Sequence, residues 1–150
     1  MPETPSPRSL RPILQPSGPG GYNGHGQLGD WTTTDSDSHT QESTESTNWS
    51  AIDGGGRDTV ALKSDGTLWS WGHSDDRGEG PFGDFIFGGI NFTDRYTPIQ
   101  IGSATNWSAI AAGGFHTVAL KAGGTLWAWG YNYYGQLGDG TQTNRHTPTQ

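Results

Sequence analysis

The sequence predicts an all-β fold assembled from four-stranded propeller blades, and three observations carry that prediction. A segment of 25 residues occurs twice, at 48–72 and 106–130, with 18 identical positions and no gap. Each copy alternates short apolar runs with glycine-bearing turns, and no stretch holds a helical apolar period. The composition is poor in aliphatics and rich in tryptophan and glycine: Leu, Ile, Val and Phe make up 22 of 150 residues, against 7 Trp and 25 Gly. So few aliphatics would suit an unfolded chain, but each Trp can bury about 150–250 Å², and disordered chains lack aromatics.

The elements run in order along the second copy. Trp107 to Ala112 reads as a short apolar strand. His116 to Lys121 is a second, with Val118 and Leu120 alternating to one side. Ala122-Gly123-Gly124, or Ser64-Asp65-Gly66 in the first copy, is a tight hairpin turn whose last glycine supplies a positive φ. Leu126 to Trp129 is a third strand, with Trp127 and Trp129 on one face and Leu126 and Ala128 on the other. A Gly-rich loop leads to a proline-containing edge strand at Thr147 to Gln150. Four strands in 51 to 58 residues is the arithmetic of a propeller blade.

Two further segments recur. Gly130 to Asp139, GYNYYGQLGD, matches Gly21 to Asp30, GYNGHGQLGD, and Arg95 to Gln100 returns as Arg145 to Gln150. The chain therefore divides into a flexible Pro/Gly-rich linker at 1–20, a partial blade (the C-terminal half of a repeat) at 21–47, a repeat with a loop insertion at 48–105, and a repeat truncated in its last strand at 106–150. The insertion, between Gly72 and Arg95, adds about seven residues.

The pattern Ala112-Gly113-Gly114-Phe115-His116-Thr117-Val118-Ala119-Leu120, then Gly124-Thr125-Leu126-Trp127-Ala128-Trp129-Gly130-Tyr131-Asn132, then Gly135-Gln136-Leu137-Gly138 resembles the regulator of chromosome condensation repeat. The resemblance covers about residues 21 to 150 and looks most like bacterial members. It implies a seven-bladed β-propeller, of which this chain would supply about two and a half blades of an incomplete ring. It also implies regulators: a chromatin-bound guanine-nucleotide exchange factor for the Ran GTPase, propellers within large ubiquitin ligases, and an inhibitor of β-lactamases. Repeat units bury their faces only against neighbours, so the chain is expected either to be a fragment or to complete its ring with other chains, self-associating through exposed end blades.

Charge and composition narrow the function classes. The formal net charge is −7, and the basic residues are scattered, so no nucleic-acid partner is expected. There is no cysteine for a disulfide, a thiolate metal site or a thiol nucleophile. No apolar run approaches a bilayer span, so no membrane partner is expected, and the N-terminus has no secretory apolar segment. The chain reads as soluble, and an extracellular or cell-surface setting fits a fragment.

Each chemically suggestive motif has a plainer reading. Gly24-His25-Gly26-Gln27-Leu28-Gly29 matches a dinucleotide fingerprint by letter, but lacks the preceding strand and following helix that such a site needs. The Trp69/Trp71 and Trp127/Trp129 pairs recur at fixed positions, as packing between blades requires. His116 is read as structural, because no partner for acid–base chemistry is evident. His25, His39, His73 and His146 lie in loops without metal-ligand spacing, and Asp35-Ser36-Asp37 and Asp75-Asp76 lack calcium-loop order. No catalytic, cofactor-binding or metal-binding residue is expected, and the chain is not expected to be an enzyme.

The binding surface is expected on the loops. Asp75, Asp76, Arg77, Phe82, Phe85, Phe87 and Phe92 populate the insertion, and Tyr131, Tyr133 and Tyr134 occupy the matching loop of the next unit. Exposed aromatics on a repeat scaffold make binding hot spots. The expected function is a non-catalytic protein-interaction module acting through this loop face. The resemblance supplies the alternative, guanine-nucleotide exchange on a small GTPase or enzyme inhibition.

Overall fold

The computed structural model describes residues 21–38, 40, 42–73 and 94–150. Eight strands are present: β1 (Trp49–Gly54), β2 (Asp58–Lys63), β3 (Leu68–Gly72), β4 (Arg95–Gln100), β5 (Trp107–Ala112), β6 (His116–Lys121), β7 (Leu126–Gly130) and β8 (Arg145–Thr149). They form two antiparallel sheets, ordered β1-β2-β3-β4 and β5-β6-β7-β8, and the described residues contain no helix. The fold is all-β and fits two successive propeller blades.

The two sheets repeat each other closely. Leu62 pairs Leu68 and Leu120 pairs Leu126, so both central hairpins close on the same register. Gly66 and Gly124 take the left-handed turn position, at φ of 79° and 82°. Gly72 and Gly130 end the third strands at φ of 107° and 105°. A side chain there would meet the carbonyl oxygens of Arg57 and Phe115 at 2.7 and 2.6 Å, so the Trp-Gly step is fixed by close strand approach. The last strand starts earlier than the sequence suggests, at Arg145 rather than Thr147, because Arg145 pairs Gly130 across the sheet edge. Pro148 is tolerated there, since an edge strand needs no second ladder.

Strand alternation gives each sheet two apolar faces. Val60, Leu62 and Leu68 share one face of the first sheet, and Ala61 and Trp71 belong to a cluster on the other. The first face meets Trp107, Ala119 and Trp129 of the second sheet, with Ile101 closing one edge, in a single buried cluster. Backbone bonds fasten both ends of this contact: Trp107 N–H donates to the Gly66 carbonyl at 3.1 Å, and Gly56 N–H to Gly114 at 3.2 Å. Ala112 N–H adds a bond to the Asp53 carboxylate at 2.8 Å.

The opposite face of the first sheet is closed by the preceding loop. Trp71 Nε1–H and the Thr59 hydroxyl both donate to the Gln27 carbonyl, at 2.7 and 2.9 Å. The Trp pairs thus lie where one unit meets the next.

Lys63 lies over the Trp49 and Trp69 rings at 4.7 and 4.1 Å, and Lys121 over Trp107 and Trp127 at 4.8 and 3.9 Å. A cation over an aromatic face is favourable, and the same device closes both sheets.

One asymmetry separates the two sheets. Leu62 and Leu68 are 2% and 0% exposed, whereas their counterparts Leu120 and Leu126 are 38% and 58% exposed. The same sequence therefore carries different energies at matched positions. Leu62→Ala is expected to cost about 3 kcal/mol, in the range of buried leucine truncations, and Leu120→Ala less than about 1 kcal/mol. Urea unfolding of the two variants followed by tryptophan fluorescence checks the contrast.

Candidate functional site

The loop after the third strand is built around one buried asparagine. Asn132 Nδ2 donates to the carbonyls of Thr141 and Thr143, at 3.0 and 3.1 Å, and to the Asp139 carboxylate at 3.2 Å. Its Oδ1 accepts from Leu137 N–H at 2.9 Å. Asn23 repeats the arrangement: Nδ2 reaches the carbonyls of Thr32 and Thr34 and the Asp30 carboxylate, and Oδ1 accepts from Leu28 N–H. Gln136 and Gln27 then accept from Tyr134 N–H and His25 N–H, at 2.9 and 2.8 Å. The recurring Asn, Gln, Leu and Asp are thus an internal hydrogen-bond frame, completed by the Thr141 and Thr32 hydroxyls that donate to the Asp139 and Asp30 carboxylates. The Thr141 hydroxyl and the Arg145 guanidinium hold the Asp139 carboxyl down to about 2, which keeps this frame charged.

Within the ten matched residues the two loops differ only at 24/133 and 25/134, and in the last unit both are tyrosine, beside the recurring Tyr131. Tyr131 and Tyr133 stack with centroids 6.3 Å apart and planes 17° apart, and Tyr134 stands edge-on to Tyr133 at 5.1 Å. Phe115 joins edge-on to Tyr131 at 6.3 Å. Tyr133 and Tyr134 are 61% and 79% exposed, and Phe115 is also exposed. Three of the expected binding residues, Tyr131, Tyr133 and Tyr134, therefore come together. The other seven, Asp75, Asp76, Arg77, Phe82, Phe85, Phe87 and Phe92, lie outside the described residues.

Phe115 is not marked out by the sequence. Pairing of His116 with Gly130 sets residues 115 and 131 side by side, and Tyr131 N–H donates to the Phe115 carbonyl at 2.8 Å. The hairpin register is the signal that finds it.

The other motifs resolve locally. The Gly24-to-Gly29 stretch forms tight turns, with Gly26 N–H bonded to Asn23 and Gly29 N–H to Gly26, and no helix comes after it among the described residues. It is a frame loop without phosphate-binding geometry. His116 opens β6 half-buried against Gly113. Its counterpart Asp58 is buried, and that burial pushes its carboxyl up to about 7. His25, His73 and Asp94 converge at the base of the first loop, which no sequence spacing signals.

The fold and this loop arrangement define a repeat protein of the β-propeller class. Two family models, both described as the regulator of chromosome condensation (RCC1) repeat, match residues 107–136 and 123–150. The Arabidopsis thaliana ultraviolet-B receptor UVR8 is 33% identical over 130 residues, covering 85% of this chain and 27% of that protein. The human E3 ubiquitin-protein ligase HERC2 is 37% identical over 98 residues, covering 65% of this chain and 2% of that protein. Prp20p of Saccharomyces cerevisiae superimposes with a TM-score of 0.69 at 22% identity, covering 87% of this chain and 32% of that one. The chain belongs to the regulator of chromosome condensation repeat family. It spans about a quarter of the plant receptor and a far smaller share of the ligase.

The buried polar groups carry measurable energies. Asn132→Ala strands two carbonyls and an N–H, and is expected to cost about 2–4 kcal/mol, measured by urea unfolding. Asp58 is neutral in the fold until about pH 7, whereas an unfolded aspartate ionises near its ordinary value of 3.8. Its contribution is fully present below that value and is lost as pH rises towards and through 7. Asp58→Asn should therefore raise the melting temperature at pH 8, by up to about 4 kcal/mol in stability, and change little near pH 4.

Proposed function

We propose that the chain is a non-catalytic interaction module that binds a protein partner through its loop face, with Phe115, Tyr131, Tyr133 and Tyr134 as the anchor. The observation that carries this reading is the four-ring cluster, with Phe115, Tyr133 and Tyr134 exposed and Tyr131 half-buried, mounted on a hydrogen-bonded frame. Tyrosine supplies large amphipathic contact area at little cost in side-chain entropy, and a frame that is already ordered lowers the cost of binding further. The net charge of −7 favours a partner with basic side chains, whose cations can also sit on the ring faces. The insertion residues Asp75, Asp76, Arg77, Phe82, Phe85, Phe87 and Phe92 are proposed as further contacts on the sequence alone.

The second reading is regulation of a small GTPase by nucleotide exchange. Its support is the fold shared with Prp20p, a protein described with binding properties to Gsp1p and histones. Enzyme inhibition belongs with this reading as a further regulatory outcome of a non-catalytic surface.

A displayed peptide library selected on the protein, with counter-selection on the Tyr133→Ser/Tyr134→Ser double variant, tests the interaction reading. We expect basic, apolar-flanked ligands that bind the variant at least about tenfold more weakly, a loss of about 1.4 kcal/mol or more. The double variant should unfold within about 0.5 kcal/mol of the parent, because both rings are exposed. Ligands that bind parent and variant equally would overturn the assignment. Acceleration of nucleotide release from one member of a small-GTPase panel would favour the second reading.

A further inference from the structure

We propose that His25, His73 and Asp94 form a binding site for a divalent transition metal of the zinc type, which would clip the Gly21–Ser36 loop to the first sheet. The three residues are far apart in the chain, His25 lying 69 residues from Asp94 and His73 lying 21 from it. Strand register and loop docking bring them together. Gly72 pairs Arg95, so His73 and Asp94 stand opposite each other one step beyond the ladder. His73 is held there by its N–H, which donates to the Arg57 carbonyl at 3.0 Å. His25 arrives with the first loop, whose Gly26 lies so close to Tyr96 that a side chain on it would meet the Tyr96 Cα at 2.8 Å. The Gln27 side chain accepts from His25 N–H and fixes the turn.

The ligand atoms converge. His25 Nδ1 lies 2.7 Å from one Asp94 carboxylate oxygen, and His73 Nδ1 lies 3.0 Å from the other. The two Nδ1 atoms are 3.2 Å apart. Ligands about 2.0–2.1 Å from a tetrahedral zinc ion lie about 3.3 Å from one another, so the nitrogen pair already has the spacing of a shared metal. All three side chains are about one-fifth exposed, so an ion has a path in and a fourth position can stay open.

The chemistry of the set agrees. Two imidazoles and one carboxylate suit a borderline ion such as zinc better than calcium or magnesium, which prefer all-oxygen shells. Without a metal, satisfying the carboxylate from both rings requires two Nδ1–H groups side by side, with their dipoles crowded. A cation at the centre is bound by the Nδ1 lone pairs of the Nε2–H tautomers, so each ring keeps its one proton on the outer nitrogen and the crowding gives way to three attractive bonds. The consequence is mechanical: the loop and the sheet are joined by coordination as well as by the Gln27 carbonyl bonds, and metal bound only to the folded form adds stability by mass action.

The experiment uses the full chain, freed of metal with a chelator and titrated with Zn2+ and, separately, with Co2+. We expect one equivalent of Zn2+ to raise the melting temperature, and Co2+ to give the visible absorption of a four-coordinate nitrogen–oxygen site. His25→Gln and Asp94→Asn, which preserve hydrogen-bonding shape, should each weaken binding at least tenfold and abolish the Co2+ absorption. His146→Ala should bind as the parent does. No saturable metal effect on the parent, or binding left unchanged by His25→Gln and Asp94→Asn, would show a hydrogen-bonded His–Asp–His group only and overturn the proposal.

Discussion

Neither sheet has room for a hydrophobic core between its own strands, so the packing of Leu62 and Leu68 against Trp107 and Trp129 is the contact on which the remaining structure rests. A four-stranded meander offers two faces and buries neither. Here one face of the first sheet is closed by tryptophans of the next sheet, and its other face by the loop that precedes it. The low aliphatic content then stops being a puzzle. Large indole rings supply area that leucine and valine would supply in a thicker core, and lysines over the half-buried Trp69 and Trp127 rings add cation–π attraction at the rim.

The loop frame depends on this stack and in turn supports the tyrosine cluster. Asn132 and Asn23 satisfy loop carbonyls that cannot join a ladder, which converts a glycine-rich segment into a rigid bracket. The bracket uses the recurring Asn, Gln, Leu, Asp and Thr together with glycines at positive φ, so positions 24/133 and 25/134 are the ones that change between the two loops. One loop has filled them with tyrosines, and another has placed a histidine against a second histidine and an aspartate. This separation of frame from payload is how a repeat scaffold hosts different surfaces on similar backbones.

Much of the architecture was legible in the sequence because the repeat states it twice. The hairpin turns and the first three strands of a unit could be read from alternation and glycine placement, whereas the close strand approach at Gly72 and Gly130 could not. The start of the last strand could not, since Thr147 to Gln150 carries the strand signal while Arg145 joins by backbone pairing alone. Tyr131, Tyr133 and Tyr134 were legible as loop aromatics, whereas the contact of Phe115 with them emerges only once the strand register is known. The histidine–aspartate group was illegible for a stronger reason. Its members come from three segments that meet through loop docking, and no spacing rule reaches across 69 residues.

The open face of the second sheet bears on how the chain acquires its structure. Leu120 and Leu126 hold the positions that, in the first sheet, pack in one cluster with Trp107, Ala119 and Trp129 from further along the chain. That face of the first blade is thus completed by its successor. On a ribosome, the first sheet would stay loosely held until Trp107 and Trp129 had left the exit tunnel, and each later unit would set the one before it. Order would then advance in the direction of synthesis and trail the growing end by one repeat.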